Sequence, residues 1–127
     1  MTLISFRAGE TVTSGNFLRV TQNGLAHPAS AGDKDAATVA GVAITNGDAQ
    51  DLVLVNKDYV YDGLPGLTAG EKVYLSITSG QFYTNYTEFE VALSGSTLSG
   101  AYLTEVGTAL GSDKLHVQIK PPVFIPR

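Results

Sequence analysis

Few side chains in this sequence have the types and spacing that catalysis requires. The two histidines, His27 and His116, have no acidic or serine neighbour at the spacing of a catalytic triad, and no Gly-x-Ser-x-Gly sequence is present to hold a nucleophile. Glu88 and Glu90 are expected on one face of a strand, whereas a glycosidase needs its two carboxylates on opposite sides of the substrate. We therefore predict that the chain is not an enzyme and that both histidines lie at the surface.

Two loops carry paired carboxylates that could bind a cation. Asp33 and Asp35 flank Lys34, and Asp48 and Asp51 flank a second turn, so loop oxygens could coordinate calcium. The remaining ligands of an EF-hand loop are missing from the sequence. We therefore expect solvated carboxylates and no cofactor, with a calcium ion as the alternative.

Length and composition limit the classes of protein that this chain can belong to. Its 127 residues are enough for one domain with its own core, and without cysteine neither disulfides nor thiolate metal sites contribute. The net charge of −4, with scattered basic residues, argues against a nucleic-acid partner. No segment is typical of a signal peptide or a membrane span, so we expect the mature chain to be the whole chain.

Short strands separated by glycine and proline are predicted throughout. Alternation at residues 114–120 indicates a half-solvated strand, and the apolar run at residues 52–55 indicates a strand buried on both sides. Residues 81–94, rich in Phe, Tyr, Thr and Val, favour a strand over a helix. The expected fold is all-β: a compact antiparallel sandwich or barrel.

A strand-and-turn formula occurs twice, which predicts an internal pseudo-repeat. Ala-Gly-Glu-x-Val opens it at residues 8–12 and again at residues 69–73, and each opening is followed by a strand centred on glycine, Gly41 or Gly107. We expect these glycines where the sheet bends or another backbone comes close. The predicted division is one β domain over residues 1–120, with pseudo-repeats at about 8–60 and 69–120, followed by a proline-rich arm at 121–127.

Two segments have the composition of contact surfaces. Residues 81–87 concentrate aromatic side chains that are typical of interfaces, and a strand with one aromatic face in the core is an equal alternative. The arm ends its strand with prolines and then presents three large apolar residues, to pack against its own domain or against a neighbouring subunit. The candidate interface residues are Phe82, Tyr83, Tyr86, Val123, Phe124 and Ile125.

The order of these segments resembles the small capsid decoration, or cement, proteins of tailed phages. The matching pieces are residues 8–12, 39–43, 67–75, 80–82, 106–109 and 115–119, so the resemblance extends from about residue 8 to residue 121. It implies a β-rich protein, often a trimer, that lies on the outside of the capsid near local three-fold positions and bridges neighbouring capsomers. The family has no catalytic residues to carry over, and the apolar arm of this chain is longer than the resemblance leads us to expect.

From these observations we expect a structural virion protein on the outer capsid surface. Its partners would be the major capsid protein and further copies of itself, as a homotrimer, without nucleic acid or membrane. The alternative is a phage tail or fibre module, or a carbohydrate-binding β module that uses Phe82, Tyr83 and Tyr86 as its platform.

Overall fold

The computed structural model describes residues 3–127, which form twelve β-strands and one α-helix. In chain order these are β1 (Leu3–Ala8), β2 (Phe17–Val20), β3 (Leu25–Pro28), β4 (Gly41–Ala43), β5 (Leu52–Asn56), β6 (Val60–Asp62), β7 (Lys72–Leu75), β8 (Phe82–Tyr83), α1 (Tyr86–Ser94), β9 (Gly100–Leu103), β10 (Glu105–Ala109), β11 (Lys114–Val117) and β12 (Val123–Pro126).

The strands form a closed barrel and two further sheets. The barrel has the order β1-β3-β2-β4-β5, with antiparallel neighbours except for β1 and β3, which are parallel. The second sheet has the order β6-β11-β10-β7-β8 and is antiparallel, as is the two-stranded sheet of β9 and β12. The predicted all-β fold of packed antiparallel sheets is confirmed, and each half of the chain forms its own sheets.

Alternation along β2 connects the barrel to the second sheet. Leu18 lies in the barrel interior with Val55, whereas its neighbour Phe17 packs in another cluster with Val73 and Leu115 of the second sheet. Successive side chains of a strand point to opposite faces, so β2 contributes to both cores. Phe17 and Leu18 are both fully buried.

Strand β5 is buried on one side, so the prediction of burial on both sides was wrong. Val53 and Val55 are fully buried in the barrel, but Leu52 is 59% and Leu54 is 42% exposed. A closed barrel has a single interior, and its strands alternate between inside and outside even where the outward residues are apolar. Leu52 and Leu54 share the outer face of the barrel with Leu3 of β1, beside the exposed Ser5 and Arg7, and we call the three exposed leucines the leucine face.

The prediction of a strand over residues 81–94 was also wrong, because most of this segment is helix α1. The Oδ1 atom of Asn85 accepts a hydrogen bond from the Glu88 N–H at 3.0 Å, and Glu88 Oε1 accepts one from the Thr84 N–H at 2.7 Å. The arrangement at Asn-x-x-Glu is a variant of the capping box, in which the Glu88 carboxylate accepts from the residue before the N-cap. Phe89 and Leu93, one turn apart, are the buried residues of the helix. Tertiary packing and the cap therefore override the β-propensity of the aromatic residues.

The helix also changes the relation between Glu88 and Glu90. These residues do not share a strand face as predicted, since side chains two positions apart on an α-helix project about 200° from each other. The Glu88 carboxylate accepts hydrogen bonds from Thr84 at the start of the helix. The two carboxylates therefore do not form a pair.

Gly41 and Gly107 lie where two backbones come close, as predicted. A Cβ atom on Gly41 would be 2.5 Å from the carbonyl oxygen of Asn56 on β5, and one on Gly107 would collide with the carbonyl oxygen of His116 on β11. The register between β10 and β7 also shifts between Glu105 and Gly107. In each half, the glycine-centred strand thus packs tightly against the closing strand.

Replacing Gly107 by alanine is expected to lower the free energy of unfolding by about 1–3 kcal/mol, because the methyl group meets backbone that cannot rotate away. Gly111→Ala is the matched control, since a Cβ atom there has no neighbour within 4 Å. Urea unfolding followed by circular dichroism measures both. Equal stabilities of the two variants would contradict the close approach at β11.

The helix cap is expected to make stability depend on pH. Hydrogen bonds from the Thr84 hydroxyl and N–H lower the pKa of Glu88 from its ordinary value of 4.5. A lowered pKa in the folded state means that the contribution is fully present above the unfolded value and is lost as the pH falls through the folded value. Glu88→Gln should therefore cost about 0.5 kcal/mol at pH 7 and progressively less below pH 4.5.

Glu90→Gln is the control for the helix cap, because it removes the same charge from the same helix without touching the cap. Unfolding free energies of both variants between pH 3 and pH 7 make the comparison. The same pH dependence in both would rule out the cap as its cause.

Candidate binding surfaces

The residues whose side chains could act in catalysis lie far from one another in the structure. His27 is on β3, where its Nδ1 atom is 2.7 Å from Oε2 of Glu10, and its ring lies against the backbone of Gly9. His116 is on β11 of the second sheet, opposite Thr108. The acidic partner of His27 is seventeen positions away in the sequence, which is why spacing did not indicate it. Within residues 3–127, no three His, Cys, Asp or Glu side chains are placed to hold a metal ion.

The acidic loop residues stabilise their own turns. Asp33 Oδ1 accepts a hydrogen bond from the Asp35 N–H at 3.0 Å, and Asp51 Oδ2 accepts one from the Asp48 N–H at 2.9 Å. Aspartate commonly makes such local bonds in turns. In each loop, the turn structure therefore explains why two carboxylates occur close together.

The predicted aromatic platform is divided between two cores. Phe82 packs edge-on against Phe17, with ring centroids 6.2 Å apart. Tyr83 packs edge-on against Phe89, and its hydroxyl oxygen accepts a hydrogen bond from the Ile77 N–H at 3.2 Å. Tyr86 stacks on Phe89, with ring centroids 6.0 Å apart, and remains 37% exposed. The three side chains therefore do not present one flat surface.

The carboxyl-terminal arm lies on its own domain. Strand β12 pairs with β9, and the Ile125 side chain packs against the cluster that contains Phe89 and Leu93. The Arg127 guanidinium donates hydrogen bonds to the carbonyl oxygens of Ser96 at 2.5 Å and Leu98 at 3.0 Å. Of the two predicted positions for the arm, the one against its own domain is therefore the one seen in the chain.

Two apolar side chains of the arm are exposed, one on each face of β12, because successive residues of a strand point to opposite faces. Val123 is 58% and Phe124 is 51% exposed, and the Phe124 ring lies 5.3 Å from that of Tyr102 on β9. We call Val123 and Phe124 the arm surface. The arm surface is a second group of exposed apolar side chains, on a different sheet from the leucine face.

Prolines limit hydrogen bonding along the outer edge of β12. The Arg127 N–H donates to the Ser99 carbonyl oxygen at 2.9 Å, and alternation in an antiparallel ladder then directs the backbone groups of Ile125 and Val123 toward β9 as well. The outward positions are therefore Phe124 and the prolines at 122 and 126, which have no N–H. Phe124 supplies the single outward donor among these three residues.

An apolar cleft of about 850 Å³ opens between the barrel and the end of the second sheet. Its polar lining includes the exposed side chains Lys57 and Lys120. Sequence reasoning missed this cleft because its residues come from separate segments that are adjacent only after folding. The apolar lining residues are Ile4, Phe6, Val20, Val39, Ala40, Val117, Ile119, Pro121 and Pro122.

An ion-pair cluster lies where the arm leaves the second sheet. Glu105 Oε2 is 3.6 Å from Lys72 Nζ and 3.4 Å from Lys120 Nζ, and the Lys120 N–H donates to the Glu105 carbonyl oxygen at 2.9 Å. Burial raises the pKa of the nearby Tyr74, and the carboxylate of Glu105 adds to that effect. Glu105 thus holds the segment that borders the apolar cleft.

Substituting Ile125 by alanine is expected to lower the free energy of unfolding by about 2 kcal/mol, because the side chain fills a gap beside Phe89 and Leu93. Val123→Ala on the same strand should change it by less than about 0.5 kcal/mol, since that residue is exposed. Chemical denaturation separates the two effects. Equal losses would contradict the packing of Ile125, and not Val123, against the cluster that contains Phe89 and Leu93.

No protein-family model and no curated protein matches this chain. Among residues 3–127, no helix is long and apolar enough to cross a membrane. The surfaces of the molecule are therefore the basis for a functional conclusion.

Proposed function

We propose that this chain is a structural virion protein that decorates the outside of a tailed-phage capsid and stabilises the shell by bridging neighbouring subunits of the major capsid protein. One observation carries the proposal. Among its exposed apolar residues, the chain groups several on neighbouring positions at two separate places, the leucine face on the barrel and the arm surface on β12. Exposed apolar clusters of this kind mark contact sites.

A bridging protein needs two contact surfaces on one body, and the two exposed surfaces meet that requirement. The packed cores hold the barrel and the arm in a defined relation, since Phe17 joins the barrel to the second sheet and Ile125 joins the arm to the helix. A standard interface buries roughly 800 Å² on each partner. Binding at many equivalent lattice positions would then strengthen the shell through high effective concentration.

The same two surfaces support a trimer. If the leucine face of one copy contacts the arm surface of the next, the interface is heterologous, and a rotation of one third of a turn closes it into a ring. The net charge of −4 keeps free copies soluble and gives no clustered positive charge for nucleic acid. The resemblance to decoration proteins in the order of the strands supports the same assignment.

A carbohydrate-binding or tail-fibre module is the second candidate function. Tyr86, 37% exposed and stacked on Phe89, is the aromatic ring best placed to contact a sugar. Because the Tyr83 hydroxyl accepts a hydrogen bond from the Ile77 N–H, Tyr83→Ala would disturb the fold, and Tyr86→Ala is the better test. Glycan-array binding lost in Tyr86→Ala would favour this candidate.

Shells of the phage that encodes this chain, prepared without the protein, are expected to become more resistant to heat when it is added back. Light scattering during heating measures resistance, and gel densitometry measures occupancy. Native mass spectrometry of the free protein should show whether a trimer forms before binding. Equal heat resistance with and without saturating protein would reject the proposal.

Leu52→Lys is expected to reduce occupancy of the shell at least tenfold, because it places a charge on the leucine face. Val91→Lys is the matched control, since Val91 on helix α1 is also exposed, at 67%, but belongs to neither surface. Equal occupancy of the two variants would remove the leucine face from the interface.

A further inference from the structure

Strand β1 has one fully paired edge and one open edge. It pairs with β5 along Leu3 to Arg7, and the Ala8 N–H donates to the Asp51 carbonyl oxygen at 2.8 Å. Because hydrogen-bonding direction alternates along an antiparallel pair, the backbone groups of Phe6 and Ile4 also face β5. Those of Ser5 and Leu3 therefore face the other edge.

On this other edge, the neighbouring strand β3 is too short to cover β1. It pairs with Arg7 and Ala8 alone, and the Gly9 N–H continues the contact by donating to the Ala26 carbonyl oxygen at 2.8 Å. Within residues 3–127, no strand lies beside Leu3 and Ser5 on that side. Unpaired strand edges of this kind are templates for another strand.

The apolar cleft lies beside the open edge. The side chains of Ile4 and Phe6 line it, together with Val20 from β2 and Val39 from the following loop. A strand added along Leu3 to Phe6 would place alternate side chains in this cleft, over roughly 13 Å of pairing. The open edge and the cleft are thus parts of one site.

We propose that the open edge of β1 and the apolar cleft form a strand-addition site for an extended segment of a capsid subunit. This inference rests on the proposed function for the identity of the partner. The segment would carry apolar residues at alternate positions, because the cleft receives every second side chain. Lys57 and Asp58 both line the cleft, so the segment is defined by its apolar alternation and main-chain pairing and not by its charge.

The backbone chemistry favours a peptide of another protein over two other occupants. A small apolar molecule could fill the cleft, but it would leave the donor and acceptor groups of Ser5 unpaired. The arm of a second copy is poorly suited to the edge, because Pro122 and Pro126 leave Phe124 as the one donor on the outward side of β12. Main-chain pairing combined with side-chain pockets is an established mode of peptide recognition.

A yeast-displayed library of random twelve-residue peptides provides the direct test with the intact protein. The wild-type chain should enrich peptides with alternating apolar residues, and hydrogen exchange of the Ser5 amide should slow when a selected synthetic peptide binds. Ser5→Pro removes the outward N–H and should weaken that peptide at least tenfold, since it also blocks the ladder beyond that point. Ser5→Thr keeps the N–H and should bind within twofold of the wild type.

A second change, on the peptide, covers the case in which Ser5→Pro does not fold. Methylation of the ladder-facing amide nitrogens of the selected peptide should abolish its binding to the wild-type chain, whereas methylation of the alternate nitrogens should not. Failure to enrich peptides, or equal binding by Ser5→Pro, would overturn the inference. Binding of the apolar dye anilinonaphthalene sulfonate in the cleft without any peptide enrichment would overturn it in favour of a small ligand.

The shell experiment separates this inference from the proposed function. If the wild-type protein decorates shells and Ser5→Pro decorates them equally, strand addition fails while decoration stands. If peptides bind at β1 but the wild-type protein leaves shells undecorated, the site stands and the capsid is rejected as its partner.

Discussion

Within residues 3–127, the barrel is closed by two residue pairs, Arg7 with Leu25 and Ala8 with Ala26, in its single parallel contact. The architecture of the amino-terminal half depends on this short seam. At the seam, the interior is sealed around Ala8 and Ala26, both fully buried. Beyond it, β1 continues alone beside the cleft. One closure constraint thus produces both a packed core and an open strand edge.

The register of β1 against β5 is set by a bulge at the turn before β5. Gln50, the non-glycine residue with a positive φ of 77° among those described, donates its N–H to the Ala8 carbonyl oxygen at 2.7 Å, and Ala8 donates to Asp51. This is the hydrogen-bond pattern of a G1 bulge. A slip of one residue would reverse the faces of one of the two strands, either turning Ile4 and Phe6 outward or turning Leu52 and Leu54 inward. The bulge therefore determines which apolar residues fill the barrel and which remain exposed.

Sequence reasoning predicted the elements whose cause is local. The strands follow from alternation, and Gly41 and Gly107 mark close backbone contacts because no side chain fits there. The helix was missed, although Asn85-x-x-Glu88 has the spacing of a capping box, which indicates a helix start. The apolar cleft could not be predicted, since it exists only where β1, β2 and the end of β11 meet after folding. The exposed leucines were misassigned for a similar reason: apolar character alone does not distinguish the inside of a barrel from its outside.

The prolines on β12 affect how the protein behaves when many copies are crowded together. A regular edge strand lets each molecule recruit the next, and the result is open-ended growth into fibrils. On β12, Pro122 and Pro126 interrupt the donors on the outward side, so an incoming chain meets an incomplete ladder. The arm can therefore keep Phe124 and Val123 exposed without offering a regular edge for aggregation.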